Sequence, residues 1–204
     1  MNLLALDCST SRGSVALVCE GRLFFHEEFV AQRSHTAFLF SCLQRARSLV
    51  REIDQVAVGL GPGSYAGTRV AISAALGFQL GLGSSLLGIP SVACLRTDEP
   101  EYLAISDARR DAFSFTHVRS GTCLVGPCLA TEEELRELLA RHPGLPVFAP
   151  EILPGFERAS VALPCSVRLA TLAAAGIGVV QRENLEPIYL REPHITQPKA
   201  ERLG

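Results

Sequence analysis

Short apolar runs and two longer stretches with helical periodicity alternate along the first ninety residues. The short runs are bounded by Gly, Asp, Ser and Pro, a pattern typical of strands between tight turns. The longer stretches place apolar residues three and four positions apart, which is typical of helices. The predicted order is three strands at residues 3–6, 14–19 and 23–30, a helix after Ser34, a strand at 53–60, a helix at 65–80 and a strand at 86–89.

The second half repeats much of this order. Strands are predicted at residues 102–106, 112–118, 123–129 and 147–149, and helices at 131–141 and 167–181. The order of the first half is the ribonuclease-H-like unit of actin-like and sugar-kinase-like (ASKHA) proteins, so we predict a two-lobed α/β fold with a mixed sheet and flanking helices in each lobe. The predicted division is an N-terminal lobe at 1–95, a smaller C-terminal lobe at 96–190 and a C-terminal arm at 191–204.

Composition narrows the class of protein. The 204 residues carry a formal net charge of −2 and a sequence pI of about 6.2, which argues against a broad basic surface for nucleic acid. Seven cysteines without a CxxC pair are typical of free thiols in a reducing cytoplasm. Residues 70–95 carry no charge, but four glycines and Pro90 divide them, which predicts a helix, a loop and a strand rather than a membrane span.

A glycine-rich turn is the first candidate for chemistry. Gly61, Gly63 and Ser64 lie between a predicted strand and a predicted helix, where backbone N–H groups can bind a phosphate or a carboxylate. The turn lacks the Gly-Lys-Ser/Thr of a Walker A loop and completes no GxGxxG. A purely structural tight turn, packed against a partner, is the alternative.

An acidic turn is the second candidate. Asp7, Ser9 and Thr10 follow the first strand, at the place where phosphotransferases of the actin-like fold hold a metal-bound nucleotide. These residue types also favour turns because their side chains bond the local backbone. Two interpretations therefore stay open, a nucleotide-binding turn and a structural one.

Metal sites and nucleophiles are not indicated. The closest two of the five histidines are nine positions apart, so no helix presents two imidazoles to one ion. Pro62 stands two residues before Ser64, where a GxSxG elbow needs glycine. We expect no bound metal, no catalytic residue and no self-sufficient hydrolase.

The helix predicted at residues 65–80 is apolar on nearly all sides. Small residues at Gly67, Ala71, Ala74 and Gly77 would let another helix approach closely. Such a helix must be covered on most of its surface, and packing on its own sheet covers one face. The pattern predicts a second protein on the remaining surface, or a homodimer where that protein is missing.

Sequence blocks along nearly the whole chain resemble the TsaB (YeaZ) family. The most specific is the Gly-Pro-Gly-Ser-aromatic-x-Gly-x-Arg pattern. The blocks are residues 4–10 (LALDCST), 13–16 (GSVA), 34–36 (SHT), 59–70 (GLGPGSYAGTRV), 107–110 (DARR) and 187–191 (PIYLR).

The resemblance implies a non-catalytic, activating subunit of the complex that makes N6-threonylcarbamoyladenosine at position 37 of tRNA. The implied partners are a TsaD-type transferase, a paralogue bound as a heterodimer through the first two helices, and a TsaE-type ATPase, with tRNA reached only through the complex. No cofactor is required, although a weak ATP or ADP site at a subunit interface stays open. The alternatives are an ATPase or kinase of the actin-like superfamily, and a metallopeptidase whose metal the sequence does not place.

Carried onto this sequence, the resemblance places the partner-binding surface on the two helices of the first half. The predicted residues are Phe38, Cys42, Ala46 and Leu49 on the first helix and Arg69, Val70, Ser73, Ala74 and Gly77 on the second. One stretch departs from the family pattern, because residues 97–101 stand where a longer helix is expected. We therefore expect an unusual junction between the lobes.

Overall fold

The structure, a computed structural model, describes residues 1–30 and 35–191. Ser34, predicted to cap a helix, and residues 192–204 of the predicted arm lie outside the described residues. The strands are β1 (Asn2–Asp7), β2 (Arg12–Cys19), β3 (Arg22–Val30), β4 (Gln55–Gly59), β5 (Ser85–Ile89), β6 (Glu101–Asp107), β7 (Ala112–Arg119), β8 (Thr122–Thr131), β9 (Val147–Ala149), β10 (Ala159–Val161) and β11 (Gln181–Arg182). The helices are α1 (His35–Ser48), α2 (Tyr65–Leu82), α3 (Glu132–Ala140) and α4 (Ser166–Ala175).

The two sheets repeat one strand order. The first runs β11-β5-β4-β1-β2-β3, with β1, β2 and β3 antiparallel and β1, β4 and β5 parallel. The second runs β10-β9-β6-β7-β8, and its first three strands in sequence, β6, β7 and β8, again form an antiparallel meander beside parallel strands. The predicted two-lobed α/β fold of the ASKHA class, with a mixed sheet in each lobe, is confirmed.

Alternating residues of the central strands build the layers. On β1, Leu4 and Leu6 pack with residues of α1 and α2 on one face of the first sheet, whereas Leu3 and Ala5 face the opposite way into a cluster that contains α4. Side chains of β6 alternate in the same manner, toward α4 on one face and α3 on the other. Because successive side chains of a strand point to opposite faces, α4 packs between the two sheets while α1 and α2 form an outer layer.

The last predicted helix is shorter than its pattern suggested. The prediction for residues 167–181 was wrong beyond Ala175, because Gly176 adopts a left-handed conformation (φ 69°) and its N–H group bonds the carbonyls of Leu172 and Ala173. Gln181 instead lies in β11, which pairs with β5 of the first sheet. Helix α4 packs on the first sheet and β11 belongs to it, although both follow residue 96 in the chain. The lobe boundary proposed between residues 95 and 96 therefore stays a prediction.

The uncharged stretch at residues 70–95 contains several short elements. It comprises the second part of α2, β5 and a 3-10 turn at Ser91–Cys94. Across residues 1–30 and 35–191, no helix combines the length and the apolarity needed to cross a membrane.

Candidate functional site

The two candidate turns meet at one end of the first sheet. The backbone N–H of Ser64 donates a hydrogen bond to the carbonyl oxygen of Ser9 at 2.6 Å. A Cβ atom on Gly63 would lie 2.0 Å from the same oxygen, so only glycine allows this approach. The glycine-rich turn therefore packs directly on the loop between β1 and β2.

Two backbone N–H groups of the glycine-rich turn, those of Gly61 and Ser64, are bonded within the chain. The Ser64 hydroxyl oxygen accepts a hydrogen bond from the N–H of Gly67 at 3.2 Å and caps α2. The N–H of Gly61 donates to the hydroxyl oxygen of Ser91 at 2.9 Å. A phosphate at this turn would have to compete with these bonds, which favours the structural interpretation.

The carboxylate of Asp7 is held by its own loop. It is 1% exposed, and its Oδ1 accepts hydrogen bonds from the N–H and the hydroxyl of Ser9 at 2.8 and 2.7 Å. Its Oδ2 has no hydrogen-bond partner among the described residues and lies so close to Gly59 that a Cβ there would come within 1.7 Å. Asp7 thus stabilises the loop between β1 and β2 through the two hydrogen bonds that its Oδ1 accepts from Ser9.

A cleft of about 540 Å³ lies between the lobes beside these turns. Four of the six residues predicted to bind phosphate line it, whereas Asp7 and Gly61 do not. Arg109 also lines the cleft, but its guanidinium lies 3.2 Å from the carboxylate of Asp107, which offsets its charge. The four predicted residues at the cleft are Ser9, Thr10, Gly63 and Ser64.

Helix α2 buries one side and exposes the other. Its buried residues include Ala71, Ala74 and Ala75. The exposed residues follow at intervals of three and four positions and form what we call the α2 stripe, in which Leu80 is 88% exposed. The α2 stripe consists of Ala66, Arg69, Ser73, Leu76, Gly77 and Leu80.

Two tyrosines connect the α2 stripe to the cleft. The guanidinium of Arg69 bonds the hydroxyl of Tyr65 and lies 5.1 Å from the centroid of that ring. The ring of Tyr65 stacks on Tyr189, a residue of the cleft wall, with centroids 5.1 Å apart. Desolvation, followed by the hydrogen bond with Tyr65, raises the pKa of the Tyr189 hydroxyl above its ordinary value, so the Tyr189 ring stays neutral near pH 7.

Helix α1 adds exposed apolar side chains to the outer layer that it forms with α2, and the ring of one of them, Phe38, stacks on Phe29 of β3 with centroids 6.1 Å apart. Phe38 and Phe40 are 52% and 50% exposed, and α1 packs against α2. We call the α2 stripe together with these two phenylalanines the α1–α2 surface. Arg69 is the one charged residue among its members, so this face of the first lobe is mainly apolar.

The structure corrects part of the predicted partner surface. Cys42, Ala46 and Ala74 are at most 5% exposed and belong to the core of the first lobe, so they cannot contact a partner. The side chain of Val70 is half-buried. The remaining predicted residues are exposed, namely Phe38, Leu49, Arg69, Ser73 and Gly77.

Three exposed apolar residues were missed, Phe40, Leu76 and Leu80. A signal for two of them was present in the sequence, because the polar residues Arg69 and Ser73 mark the outward side of α2. Adding three and then four positions to Ser73 reaches Leu76 and Leu80 on the same side.

Comparisons with known proteins agree with this architecture. The family described as "TsaD: tRNA N6-adenosine threonylcarbamoyltransferase" matches residues 30–152. The "tRNA threonylcarbamoyladenosine biosynthesis protein TsaB" of Escherichia coli is 30% identical over 119 residues, covering 53% of this chain and 51% of that protein. The chain therefore spans about half the length of the TsaB proteins that it matches. An uncharacterized protein of Mycobacterium tuberculosis is 28% identical over 203 residues, which covers 94% of this chain and 92% of that protein.

Solved structures give a fuller match. "YeaZ from Pseudomonas aeruginosa" superposes with a TM-score of 0.69 at 25% identity, covering 93% of this chain and 99% of that one. A second solved structure, described as an uncharacterized protein with similarity to peptidase YEAZ from Pseudomonas aeruginosa, superposes with a TM-score of 0.75 at 26% identity and the same coverage. The whole two-lobed architecture is thus shared with these structures.

Proposed function

Since the chain belongs to the family of tRNA N6-adenosine threonylcarbamoyltransferases and, within it, to the TsaB (YeaZ) proteins, we propose that it is a non-catalytic, activating subunit of the complex that makes threonylcarbamoyladenosine on tRNA. In this proposal a TsaD-type transferase carries the catalytic residues. The present chain binds it through α1 and α2 and holds it in its active form.

The exposed, mainly apolar α1–α2 surface is the observation that carries the proposal. Leu80 is 88% exposed at one end of the α2 stripe, and Phe38 and Phe40 are half-exposed on α1. Large apolar side chains exposed on one layer of a protein mark candidate protein contacts. Ser73 and Gly77 are small, so a helix of the partner can approach α2 closely.

Hydrogen bonds of the two candidate turns support the non-catalytic part of the proposal. Oδ1 of Asp7 accepts its hydrogen bonds from its own loop, and in the glycine-rich turn the N–H groups of Gly61 and Ser64 donate to Ser91 and Ser9 of this chain. A phosphotransferase needs such groups directed at a nucleotide. We therefore assign the two turns a structural role, which is to fix the position of α2 on the first sheet.

The remaining partners follow from the same proposal. A net charge of −2 favours tRNA binding by the partner rather than by this chain, and we propose that a TsaE-type ATPase joins the heterodimer. The seven free cysteines support a cytoplasmic setting. Without the transferase, two copies of the chain are proposed to pair through the α1–α2 surface.

The substitution Leu80→Glu tests the docking surface. A charge buried in an apolar interface should weaken association with the transferase by at least about 100-fold. The stability of the isolated chain should change by less than about 0.5 kcal/mol, because Leu80 is exposed. Co-purification of the tagged transferase and an affinity measurement on the two purified proteins would show the loss.

Ile152→Glu provides the matched control. Ile152 is an aliphatic residue of the second lobe with 83% exposure, so the same charge at a similar exposure should leave association unchanged. Normal co-purification of the Leu80→Glu variant would contradict docking through the α2 stripe. Ala74→Glu is unsuitable for this purpose, since Ala74 is 5% exposed and the charge would disrupt the core.

Nucleotide binding is the second candidate function, and the cleft of about 540 Å³ favours it. Calorimetry with Mg-ATP on the isolated chain tests it. Under the leading proposal we expect no saturable heat at millimolar nucleotide. Saturable binding that is lost in Arg109→Gln, at the cleft wall, would instead favour an ATP-binding role.

A further inference from the structure

Three side chains that can bind a metal meet on the face of the first sheet opposite to α1 and α2. His26 and Glu28 lie on β3, and Cys165 immediately precedes α4. One ligand atom of each residue lies within 4.8 Å of the others. The histidine spacing gave no sign of this cluster, because folding rather than sequence brings the cysteine to the histidine.

Strand alternation explains the position of the two β3 residues. Glu27 faces α1, where its carboxylate accepts a hydrogen bond from Arg45 at 2.9 Å. Its neighbours His26 and Glu28 therefore point to the other face of the edge strand, toward α4. The cluster is separated from the α1–α2 surface by the sheet itself.

Backbone hydrogen bonds fix the position of Cys165. Its N–H donates to the carbonyl of Cys94 at 2.9 Å, and the next N–H, of Ser166, donates to the hydroxyl oxygen of Ser14 on β2 at 3.0 Å. Ser14 is paired with Glu28 in the sheet. The thiol is thus held beside β3 by bonds that do not involve its sulfur.

A cation already occupies the cluster. The guanidinium of Arg96 bonds the carboxylate of Glu28 and lies 3.5 Å from the sulfur of Cys165. Arg12 lies 3.6 Å from the same carboxylate. Both arginines are at least half exposed, so either can turn toward water at little cost. The cluster is therefore able to hold positive charge, and the charge that it holds is exchangeable.

We propose that His26, Glu28 and Cys165 bind a zinc ion that displaces the guanidinium of Arg96. A thiolate, an imidazole and a carboxylate suit Zn²⁺ and not Mg²⁺ or Ca²⁺, which prefer oxygen ligands. Zinc bonds of about 2.0 to 2.3 Å place ligand atoms about 3.5 Å apart, and Nε2 of His26 already lies 3.6 Å from Oε1 of Glu28. The thiol loses its proton to solvent as the ion binds.

Three protein ligands leave one position of a tetrahedral ion open. A surface pocket of about 390 Å³ is lined by both His26 and Cys165, so a water molecule or a small anion can take the fourth position. The proposed zinc site shares no residue with the α1–α2 surface, which carries the proposed docking function.

Titration of the metal-free, full-length chain with Zn²⁺ against a chromogenic chelator tests the site. We expect one ion per chain, and in a parallel titration with Co²⁺ an absorption band from the cobalt–thiolate bond. Cys165→Ser should remove the band, and both Cys165→Ser and His26→Gln should weaken zinc binding by about 100-fold or more. Arg96→Gln should strengthen it by about tenfold, because a competing positive charge is lost.

Cys19→Ser is the matched control, since Cys19 is a free, half-buried thiol outside the cluster. It should keep both the cobalt band and the affinity. Retention of the band in Cys165→Ser, or failure of the unsubstituted chain to bind one equivalent of zinc, would overturn the proposal. If Cys165→Ser does not fold, His26→Gln decides, because the His26 side chain is 29% exposed and its loss leaves the core intact.

Discussion

Gly67→Ala is expected to destabilise the chain by about 3 kcal/mol, although alanine is the better helix former. In an ordinary helix this change would stabilise by about 1 kcal/mol. Here the new Cβ would lie 2.0 Å from the carbonyl oxygen of Cys8, a backbone atom of the loop that follows β1. That atom cannot turn aside as a side chain can, so either α2 or the loop must move.

Gly77→Ala in the same helix is the matched control. A Cβ there would meet nothing within 4 Å, so the helix propensity should act alone and stabilise the chain by about 1 kcal/mol. Urea unfolding of the three proteins would give both values. Two changes of the same sign would contradict close packing of α2 on the β1–β2 loop, and with it the structural role assigned to the glycine-rich turn.

Local signals made most of the fold predictable. The order of strands along the chain follows from alternating patterns and turn residues, which act over a few positions. Thr131 and Glu134 show the same on a smaller scale. Their spacing is that of a capping box, and each side chain accepts a hydrogen bond from the other residue's N–H, at 3.2 and 2.7 Å. Interactions of this range can be inferred from sequence without knowing the fold.

Elements that depend on distant partners could not be predicted. The strand β11 has two residues, Gln181 and Arg182, and exists because β5 offers it an edge. The helix predicted at residues 167–181 extended into this strand, because an alanine-rich pattern does not show which glycine adopts a left-handed conformation and ends the helix. The cluster of His26 and Cys165 is a further case, because its members belong to opposite halves of the chain.

The predicted docking surface was limited by the composition of its helix. A helix that is apolar on nearly all sides has little contrast between its inner and outer faces. Ala74 and Gly77 are both small, and yet one lies in the core and the other in solvent. Contacts with the first sheet and its loops decide which side of α2 turns inward, and the close approach of Gly67 to the carbonyl of Cys8 is one of them.

Adjacent residues of α1 are expected to separate stability from association. Leu39 is fully buried in the first core, so Leu39→Ala should destabilise the chain by about 3 kcal/mol through lost burial and the cavity that remains. Phe40 is 50% exposed, and Phe40→Ala should change stability by less than about 1 kcal/mol. The same change should weaken association with the transferase by about tenfold, as expected for an aromatic residue removed from an apolar interface.

Urea unfolding and affinity measurements on both variants check this separation. The Leu39→Ala chain should still associate under conditions in which it remains folded, because its truncated side chain points away from the partner. If Phe40→Ala lowered stability as much as Leu39→Ala and left the affinity unchanged, the side of α1 that carries Phe40 would pack on the sheet and would not contact the partner. The α1–α2 surface would then lose Phe40, and the proposed interface would be reduced to the α2 stripe and Phe38.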